Sequence, residues 1–342
     1  MDVKIVKTLD PKCDAFVLRR PDGTISYLSA WSRAVAEATA LKDFYLAAYE
    51  GENVCGVLPL VHVKSRLFGN QLVSQAFCNY GGILAENQDA RDALFNRAVE
   101  LAVDVDCEFI EFRNITPLPY DLHLVTDKMC MHLPLTRYPD DLWKSFDPKV
   151  RNQVRKAEKA GILANSGHLE LLDDFYRVYT IRMRQLGSPC FSRKLMRSIL
   201  EAFPDHSRIF VVRMGELTVG GGFVTHHNGF VEIPWAATLV QYNHLCPNNL
   251  LYWTVMKYYC LAGAHWFDFG RCTVDSPTYR FKKQWGPNPI NLHYQYWVKP
   301  GRKLSIPNPD DLKYKWRIEM WKKLPLWMTR LFGPYISRNL PR

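Results

Sequence analysis

The segment between residues 265 and 298 contains the densest set of side chains that could do chemistry. A predicted strand, HWFDFG, ends at Gly270, and residues 279–286, YRFKKQWG, then place aromatic and cationic side chains in close succession. Loops just past the carboxyl ends of strands are where α/β folds bind their ligands. The adjacent Lys282 and Lys283 could therefore neutralise a phosphate or stabilise an oxyanion during acyl transfer. As a bare pair, they could equally be two solvent-facing lysines.

Two carboxylates lie in apolar surroundings on predicted strands. Asp268 and Glu232 could each accept a proton from an attacking ammonium group. The structural alternative is an ion pair with a nearby arginine, and a pKa shifted by burial would distinguish the two roles. Trp235 could line an acceptor cleft, although a tryptophan on a strand more often packs in the core.

A predicted helix begins near Pro247, and Asn248 and Asn249 are among its first residues. Free backbone N–H groups at a helix N-terminus favour phosphate, which makes the two asparagines candidate binding residues. The simpler interpretation is that Pro247 only starts the helix.

Other kinds of catalytic site are not indicated. The ten histidines are dispersed, the nine cysteines occur singly, and neither an H-E-x-x-H nor a C-x-x-C motif is present. We therefore expect no metal site, and no G-x-S-x-G motif predicts a serine nucleophile. Reduced, isolated thiols and a start without an apolar signal segment favour a cytoplasmic protein, and no run approaches the ~18 apolar residues of a membrane span.

The chain repeats one order of elements: antiparallel strands, then a helix, then a strand that returns in parallel. In the first half, two β-rich runs occupy 42–65, and a helix near 88–103 precedes the strand EFIEFR at 108–113. The corresponding elements of the second half are strands at 208–214, 217–227 and 230–238, a helix at 248–263 and the strand HWFDFG at 265–270. This is the order of the acetyltransferase (GNAT) fold. We therefore predict an α/β (α+β) protein with two tandem GNAT-like domains, whose mixed, mostly antiparallel sheets are flanked by helices.

Three regions are expected from these patterns: an N-terminal GNAT-like domain over 1–145, a C-terminal GNAT-like domain over 146–298 and a basic aromatic tail over 299–342. A basic helix at 148–160 enters the second domain, and its predicted end at Gly161 suits a helix C-cap. The tail contains 11 Lys/Arg against 3 Asp/Glu, interleaved with tryptophans. It could lie on a membrane surface, or it could be a helix that packs back on the first half with its lysines in water.

The net charge of +10 favours polyanionic partners, namely nucleic acid, phosphorylated substrates or anionic lipid. A solvated basic face is the simpler alternative.

FDFGR at 267–271 followed by YRFKKQWG at 279–286 resembles the closing motif of the FemAB family of peptidoglycan bridge-forming enzymes. In that family a Y/FDFGG-like strand end precedes a YRFKKGF-like segment. VRNQVRKAEKAG at 150–161, EIPWAA at 232–237 and PNNLLYW at 247–253 resemble further family positions. The resemblance covers almost the whole chain, weakest near the N-terminus. It is closest to the FemAB-related branch associated with exosortase/PEP-CTERM and exopolysaccharide systems.

This resemblance implies two GNAT-like domains and transfer of an aminoacyl group from charged tRNA to an amine on a peptidoglycan precursor. It also implies that Lys282, with Phe281, lies at the reacting ester. Lys282 would stabilise the tetrahedral oxyanion and orient the carbonyl, without a covalent intermediate. With Asp268, these residues form the expected catalytic set.

Residues around this set are expected to bind substrate. Tyr279, Arg280 and Lys283 flank the expected lysine in the motif. Arg271 replaces the second glycine of the family pattern and could add an anion contact, so the substrate class carried over from the family stays open.

The acyl donor is expected as a co-substrate and not as a tightly bound cofactor. Aminoacyl-tRNA suits the positive charge, and acyl-CoA is the alternative. Segment 241–249 has no glycine, whereas coenzyme A sites of this fold use a glycine-rich pyrophosphate loop there. The expected acceptor is an amine on a cell-envelope or exopolysaccharide precursor, with peripheral contact to the inner membrane left open. A non-catalytic scaffold of a polysaccharide assembly system is the competing class.

Overall fold

The computed structural model describes residues 1–6, 10–65, 68–304 and 312–340. Its strands are β1 Asp2–Val6, β2 Lys42–Glu50, β3 Asn53–Ser65, β4 Gly69–Ser74, β5 Leu84–Ala85, β6 Phe109–Asn114, β7 His123–Val125, β8 Lys128–Pro134, β9 Ile162–Gly167, β10 Ser207–Met214, β11 Leu217–His227, β12 Phe230–Thr238, β13 Trp266–Asp268, β14 Cys272–Thr273, β15 Asn288–Asn291 and β16 His293–Val298. Its α-helices are α1 Pro11–Arg19, α2 Ser29–Thr39, α3 Gln88–Asp104, α4 Pro139–Ser145, α5 Pro148–Lys159, α6 Leu172–Leu186, α7 Arg193–Ala202, α8 Pro247–Leu261, α9 Pro277–Lys283, α10 Leu312–Lys323 and α11 Leu326–Ser337.

The chain divides into two compact units. The described residues of the first unit fall within 1–128, 291–304 and 335–340, and those of the second within 129–290 and 312–334. The first division therefore lies at 128/129 and not at the expected 145/146. The reason is that two strands belong to a different sheet from the one expected. Strand β8, from the expected N-terminal domain, pairs with β13 in the second sheet. Strand β16, from the expected C-terminal domain, pairs with β6 in the first sheet.

The first unit contains a mixed sheet in the order β1-β2-β3-β4-β6-β16-β7, with β5 beside β3. Strands β4 and β6 are parallel neighbours, and α3 makes the crossover between them. The Asn87 side chain caps α3 by accepting from the backbone N–H of Ala90 at 2.8 Å. The helix then buries Leu94, Ala98 and Leu101 against the sheet.

The second unit repeats this plan in a sheet of order β14-β8-β13-β12-β11-β10-β9, with β15 beside β8. Here β12 and β13 are the parallel pair, and α8 is the crossover. Their pairing covers only the rows from Phe230–Trp266 to Glu232–Asp268, although β12 continues to Thr238. The sheet therefore loses its pairing just past the carboxyl end of β13.

Two helices cover the core side of this sheet. Helix α5 begins at Pro148, and the Asp147 carboxylate caps it by accepting from the Lys149 N–H at 2.7 Å. It packs against α8 through Val150, Val154 and Ala157. The predicted basic helix is thus present, with its apolar stripe buried.

Most of the described part of the tail is helical, in α10 and α11. Helix α10 and the part of α11 before Tyr335 belong to the second unit. There Trp321 Nε1 donates to the Ser188 carbonyl at 3.2 Å and Arg330 Nε donates to Thr180 Oγ1 at 3.0 Å. Of the two predicted places for the tail, the first half is not the one that these contacts involve, and contact with a membrane surface stays a prediction. Residues 305–311, in the predicted proline-rich linker, lie outside the described residues.

We predict that Arg113→Leu destabilises the first unit strongly. Arg113 is fully buried on β6, pairs with Glu111 at 2.7 Å and donates to the Cys78 carbonyl at 2.9 Å. Removing it leaves a buried carboxylate without its guanidinium, which costs about 3–5 kcal/mol. The measurement is the free energy of unfolding by urea. Arg97→Leu, which removes the more exposed ion pair with Glu100, is the control and should cost less than about 1 kcal/mol; equal losses would contradict the prediction.

Candidate active site

A tight turn after β13 creates the binding place for the Lys282 ammonium. Asp268 Oδ1 accepts a hydrogen bond from the Gly270 N–H at 2.7 Å. Gly270 has φ +73°, a left-handed conformation that glycine adopts without steric cost. With the backbone in this conformation, Lys282 Nζ donates to the carbonyl oxygens of Gly270 at 2.7 Å and Arg271 at 3.0 Å.

Helix α9 brings the lysine to this turn. The Ser276 hydroxyl caps α9 by accepting from the Tyr279 N–H at 3.1 Å, and Pro277 occupies the first position. Phe281 packs edge-on against Tyr252, with ring centroids 5.2 Å apart. The motif expected to act at the ester is therefore a short capped helix anchored by an aromatic contact.

The two adjacent lysines have opposite environments. Lys282 is only 4% exposed, whereas Lys283 is exposed, with its ammonium 5.5 Å from the Tyr279 ring centroid. Arg280 is also exposed, and its guanidinium donates to the Asp275 carbonyl at 3.2 Å and 3.4 Å. Of the three cationic side chains in the motif, only Lys282 is buried.

Burial determines the electrostatics of Lys282. It lowers the pKa of the ammonium from its ordinary value, while Cys272, Cys130 and Asp268 act in the opposite direction and Arg271 adds to the lowering. A lysine ammonium carries three donors. Two are used by the carbonyls of the turn, so the third can serve a substrate oxygen.

Three titratable side chains occupy one row of the sheet. Glu232 on β12 pairs in register with Asp268 on β13, which pairs in turn with His132 on β8. His132 Nε2 lies 3.5 Å from Asp268 Oδ2, at the outer limit of hydrogen bonding. Because side chains alternate along strands, these three share one face of the sheet.

The neighbouring row explains why the titratable row faces away from the core. The adjacent row of the sheet consists of Val231, Phe267 and Leu133, which are paired with one another in register. All three side chains are buried in the hydrophobic core. The alternation thus separates an apolar face from a polar one at the junction of β12, β13 and β8.

The buried Cys130 thiol is close enough to these charged side chains for them to affect its pKa. Burial raises its pKa well above the ordinary value, Asp268 and Glu232 raise it further, and Lys282 and Arg271 lower it. A raised pKa disfavours the thiolate, which is the opposite of what activates a cysteine nucleophile.

Asn248 and Asn249 lie in the first turn of α8, as expected. Asn249 is buried, and its Nδ2 donates to Gln153 Oε1 at 3.0 Å, which ties α8 to α5. Asn248 is half-buried. The residues before the helix form a 3₁₀ turn, Val240–Leu245, followed by Cys246 at φ +60°, in place of a glycine-rich loop.

Trp235 packs against other aromatic rings. It is buried, with its ring 5.0 Å from Phe223 and 5.7 Å from Phe191 between centroids. The side chain falls on the buried phase of the β12 alternation and packs in the interior of the second unit, and a role in binding the acceptor stays a prediction.

The structure therefore brings together Lys282, Phe281, Asp268, Glu232 and Arg271 around one strand end, and it leaves Arg280 and Lys283 at the surface. Sequence reasoning missed His132 and Cys130. Their only signal is the alternation in MCMH at 129–132, and the pairing of this strand with β13 is not local in sequence. Among the described residues, no cluster of three or more His, Cys, Asp or Glu side chains is placed to hold a metal ion. None of the described helices is long and apolar enough to cross a membrane.

We predict that Gly270→Ala disturbs the turn and frees Lys282. Alanine at φ +73° costs about 1–2 kcal/mol, and relaxing the strain moves the carbonyls that accept from Nζ. The measurement is amine labelling of Lys282 by mass spectrometry, which should increase relative to the wild type.

Gly263→Ala is the matched control, since Gly263 has φ +81° and open space around it. It should show a similar loss of stability without a change in Lys282 labelling. Equal labelling in the two variants would mean that the turn does not shield the ammonium.

Comparison with known proteins agrees with this architecture. Residues 144–283 match the family model for an acetyltransferase (GNAT) domain. A comparison with curated protein sequences gave no significant match.

Solved structures with the same fold include the crystal structure of FemX, with a TM-score of 0.67 at 18% identity over 86% of this chain and 97% of that chain. The C-terminal DUF2156 domain of a putative lysylphosphatidylglycerol synthetase from Agrobacterium fabrum matches with a TM-score of 0.56 at 11% identity, over 85% and 91%. A tandem GNAT protein from the clavulanic acid biosynthesis pathway matches with a TM-score of 0.50 at 13% identity, over 84% and 91%.

At these identities the structural matches establish the fold, and the family model covers the second unit's sheet from β9 to β13 together with α9. The protein thus has tandem GNAT-like domains, carries an acetyltransferase (GNAT) domain at residues 144–283, and is an acyltransferase of the GNAT type.

Proposed function

We propose that the second unit transfers an activated acyl group, favouring aminoacyl-tRNA as donor, to an amine on a cell-envelope or exopolysaccharide precursor. The observation that carries the proposal is the buried ammonium of Lys282, which the carbonyls of Gly270 and Arg271 position where the β12–β13 pairing ends. A fixed cation in a low-dielectric site is suited to stabilise charge that develops only in the transition state.

The reaction needs no covalent enzyme intermediate. The acceptor amine attacks the ester carbonyl, a C–N bond forms, and the carbonyl oxygen becomes an oxyanion next to Lys282 Nζ. The C–O bond to the donor then breaks, and the proton lost by the amine ends on the leaving oxygen. Lys282 lowers the barrier of the first step, and the site holds the two substrates in contact.

The carboxylates differ in what they can do. Asp268 is fully buried, with one oxygen engaged by the Gly270 N–H and the other facing His132, so we assign it a positioning role. Glu232 is its register neighbour and is only partly buried. Glu232 is therefore our candidate to relay the proton from the amine to the leaving group.

Aminoacyl-tRNA is favoured by three features. The chain resembles the FemAB family, it has the fold of FemX and of a putative lysylphosphatidylglycerol synthetase domain, and its net charge is +10. Helix α5 exposes Arg155, Lys156 and Lys159, which suits a nucleic-acid backbone.

Acyl-CoA is the second candidate donor. The match to an acetyltransferase (GNAT) model favours it, and the α8 N-terminus offers backbone N–H groups to a pyrophosphate. A 3₁₀ turn followed by Cys246 replaces the glycine-rich loop that such a site uses. We therefore favour charged tRNA over acyl-CoA as the donor.

The cellular setting follows from the acceptor that we propose. An envelope or exopolysaccharide precursor with a free amine would be met in the cytoplasm, in agreement with the resemblance to the exosortase/PEP-CTERM branch. We regard the donor as a co-substrate that leaves after each turnover.

We predict that Lys282→Ala lowers kcat by about 100- to 1,000-fold, because one preorganised oxyanion donor is lost. The assay measures amine-dependent release of label from a mixture of charged tRNAs and, in parallel, thiol release from acyl-CoA. Lys283→Ala, which changes the exposed neighbour, is the matched control and should retain near-wild-type kcat.

Unchanged turnover in a folded Lys282→Ala protein would overturn the proposed role of this lysine. Turnover with acyl-CoA alone would leave that role in place and replace the donor.

We also predict a fall in kcat on the alkaline side of the pH profile. The ammonium is the active form, and burial lowers the pKa of Lys282, so the charge is lost as pH rises through a value below that of an ordinary lysine. Lys282→Arg keeps its charge at any accessible pH. The arginine variant should turn over more slowly but without the alkaline fall; an unchanged fall would assign it to another group.

A further inference from the structure

Helix α11 buries its small and polar side chains and exposes its large apolar ones, the reverse of an ordinary surface helix. Its inward face is small and polar: Thr329 is 3% exposed, and its carbonyl accepts from Cys190 Sγ at 3.6 Å. Gly333, one turn later, lies so close to Cys190 that an added Cβ would come within 2.7 Å of the sulfur. The contact with the second unit thus requires small residues on this face.

The outward face of α11 is made of large apolar residues. Trp327 is 65% exposed, Leu331 53% and Tyr335 58%, at successive spacings of four residues, and Phe332 is beside them. A surface helix of a globular protein normally buries such a stripe. The apolar stripe of this helix therefore faces solvent.

Helix α10 repeats the arrangement. Trp316 and Met320, four residues apart, are exposed, whereas Trp321 is held to the Ser188 carbonyl through its indole N–H. Each helix is fixed to the second unit by one face and presents aromatic or apolar side chains on another.

Charge identifies what this surface fits. Residues 312–340 contain seven Lys/Arg and one acid, Glu319, which is paired with Lys322 at 2.6 Å. Exposed tryptophans, leucine and tyrosine interleaved with cations are typical of a helix lying in the interface of an anionic bilayer. A second copy of the chain would bring like charges together, which disfavours self-association through this surface.

We propose that α10 and α11 dock the protein on an anionic lipid surface. Trp327, Leu331 and Tyr335 would enter the boundary between headgroups and acyl chains, while the neighbouring lysines and arginines contact the headgroups. At 12 residues each, the helices are about 18 Å long, too short for a hydrocarbon core of about 30 Å, so they lie on the bilayer. The proposal does not depend on which acyl group is transferred.

The test is cosedimentation of the full chain with vesicles of phosphatidylcholine containing phosphatidylglycerol, compared with phosphatidylcholine alone. We expect binding to the anionic vesicles that weakens as salt is raised. The double variant Trp327→Gln/Leu331→Gln should lower the partition coefficient by at least about tenfold, since two exposed apolar side chains no longer enter the interface.

Tyr138→Gln/Leu163→Gln is the matched control, because both residues are exposed apolar side chains elsewhere on the protein. It should bind like the wild type. A second set, Lys322→Gln/Lys323→Gln, should lose anionic selectivity even if the tryptophan variant folds poorly.

Three results would overturn the proposal: equal binding to neutral and anionic vesicles, no binding to either, or a concentration-dependent dimer that only the Trp327→Gln/Leu331→Gln variant abolishes. The last result would assign the surface to a second copy of the chain. Acyl transfer to a soluble acceptor is measured in parallel. If the wild-type protein shows no transfer, the proposed function is contradicted, but the lipid-binding proposal is unaffected.

Discussion

The ammonium of Lys282 is a charge in the interior of the second unit, and the local structure is built to accommodate it. An uncompensated buried cation is strongly unfavourable. Here two backbone carbonyls accept its hydrogen bonds, and the Asp268 carboxylate contributes favourable electrostatics nearby. Three local features produce this arrangement: a glycine in the left-handed conformation, a helix capped by a serine, and the end of a short pair of parallel strands. The lysine is thus preorganised before a substrate arrives, which is the condition for electrostatic catalysis.

The corresponding strands of the two units, β6 and β13, hold their carboxylates in different ways. Glu111 on β6 occupies the position that Asp268 occupies on β13, since the strands EFIEFR and HWFDFG correspond residue by residue. In the first unit the residue two positions later is Arg113, which neutralises Glu111 directly at 2.7 Å. In the second unit that position is Gly270, whose N–H donates to Asp268 and whose carbonyl accepts from Lys282 on α9. The first unit therefore neutralises its carboxylate within one strand, whereas in the second unit Asp268 stabilises the turn at Gly270 and the Lys282 ammonium binds the carbonyls of that turn.

Much of the fold could be predicted from the sequence because it depends on local patterns. Turns at glycine, the alternation in β10 to β12 and the cap of α5 each have a short-range signal, and the order of elements then indicates the GNAT fold. The domain boundary could not be predicted, because β8 and β16 join sheets formed mainly by distant residues. The same non-local pairing hid His132 and Cys130. For Trp235, aromatic type alone does not say which phase of the strand faces the core, so a cleft and a core position both fit the sequence. For α11, composition suggested an amphipathic helix, but only its packing on Cys190 shows which face is covered.

The most direct measurement is a structure of the protein with a non-hydrolysable analogue of the acyl donor, in which an amide replaces the ester of an aminoacylated RNA end. Our account predicts that the acyl carbonyl oxygen lies within about 3 Å of Lys282 Nζ, the reach of a hydrogen bond. An analogue bound with its carbonyl more than about 6 Å from that nitrogen, or in the first unit, would contradict the account.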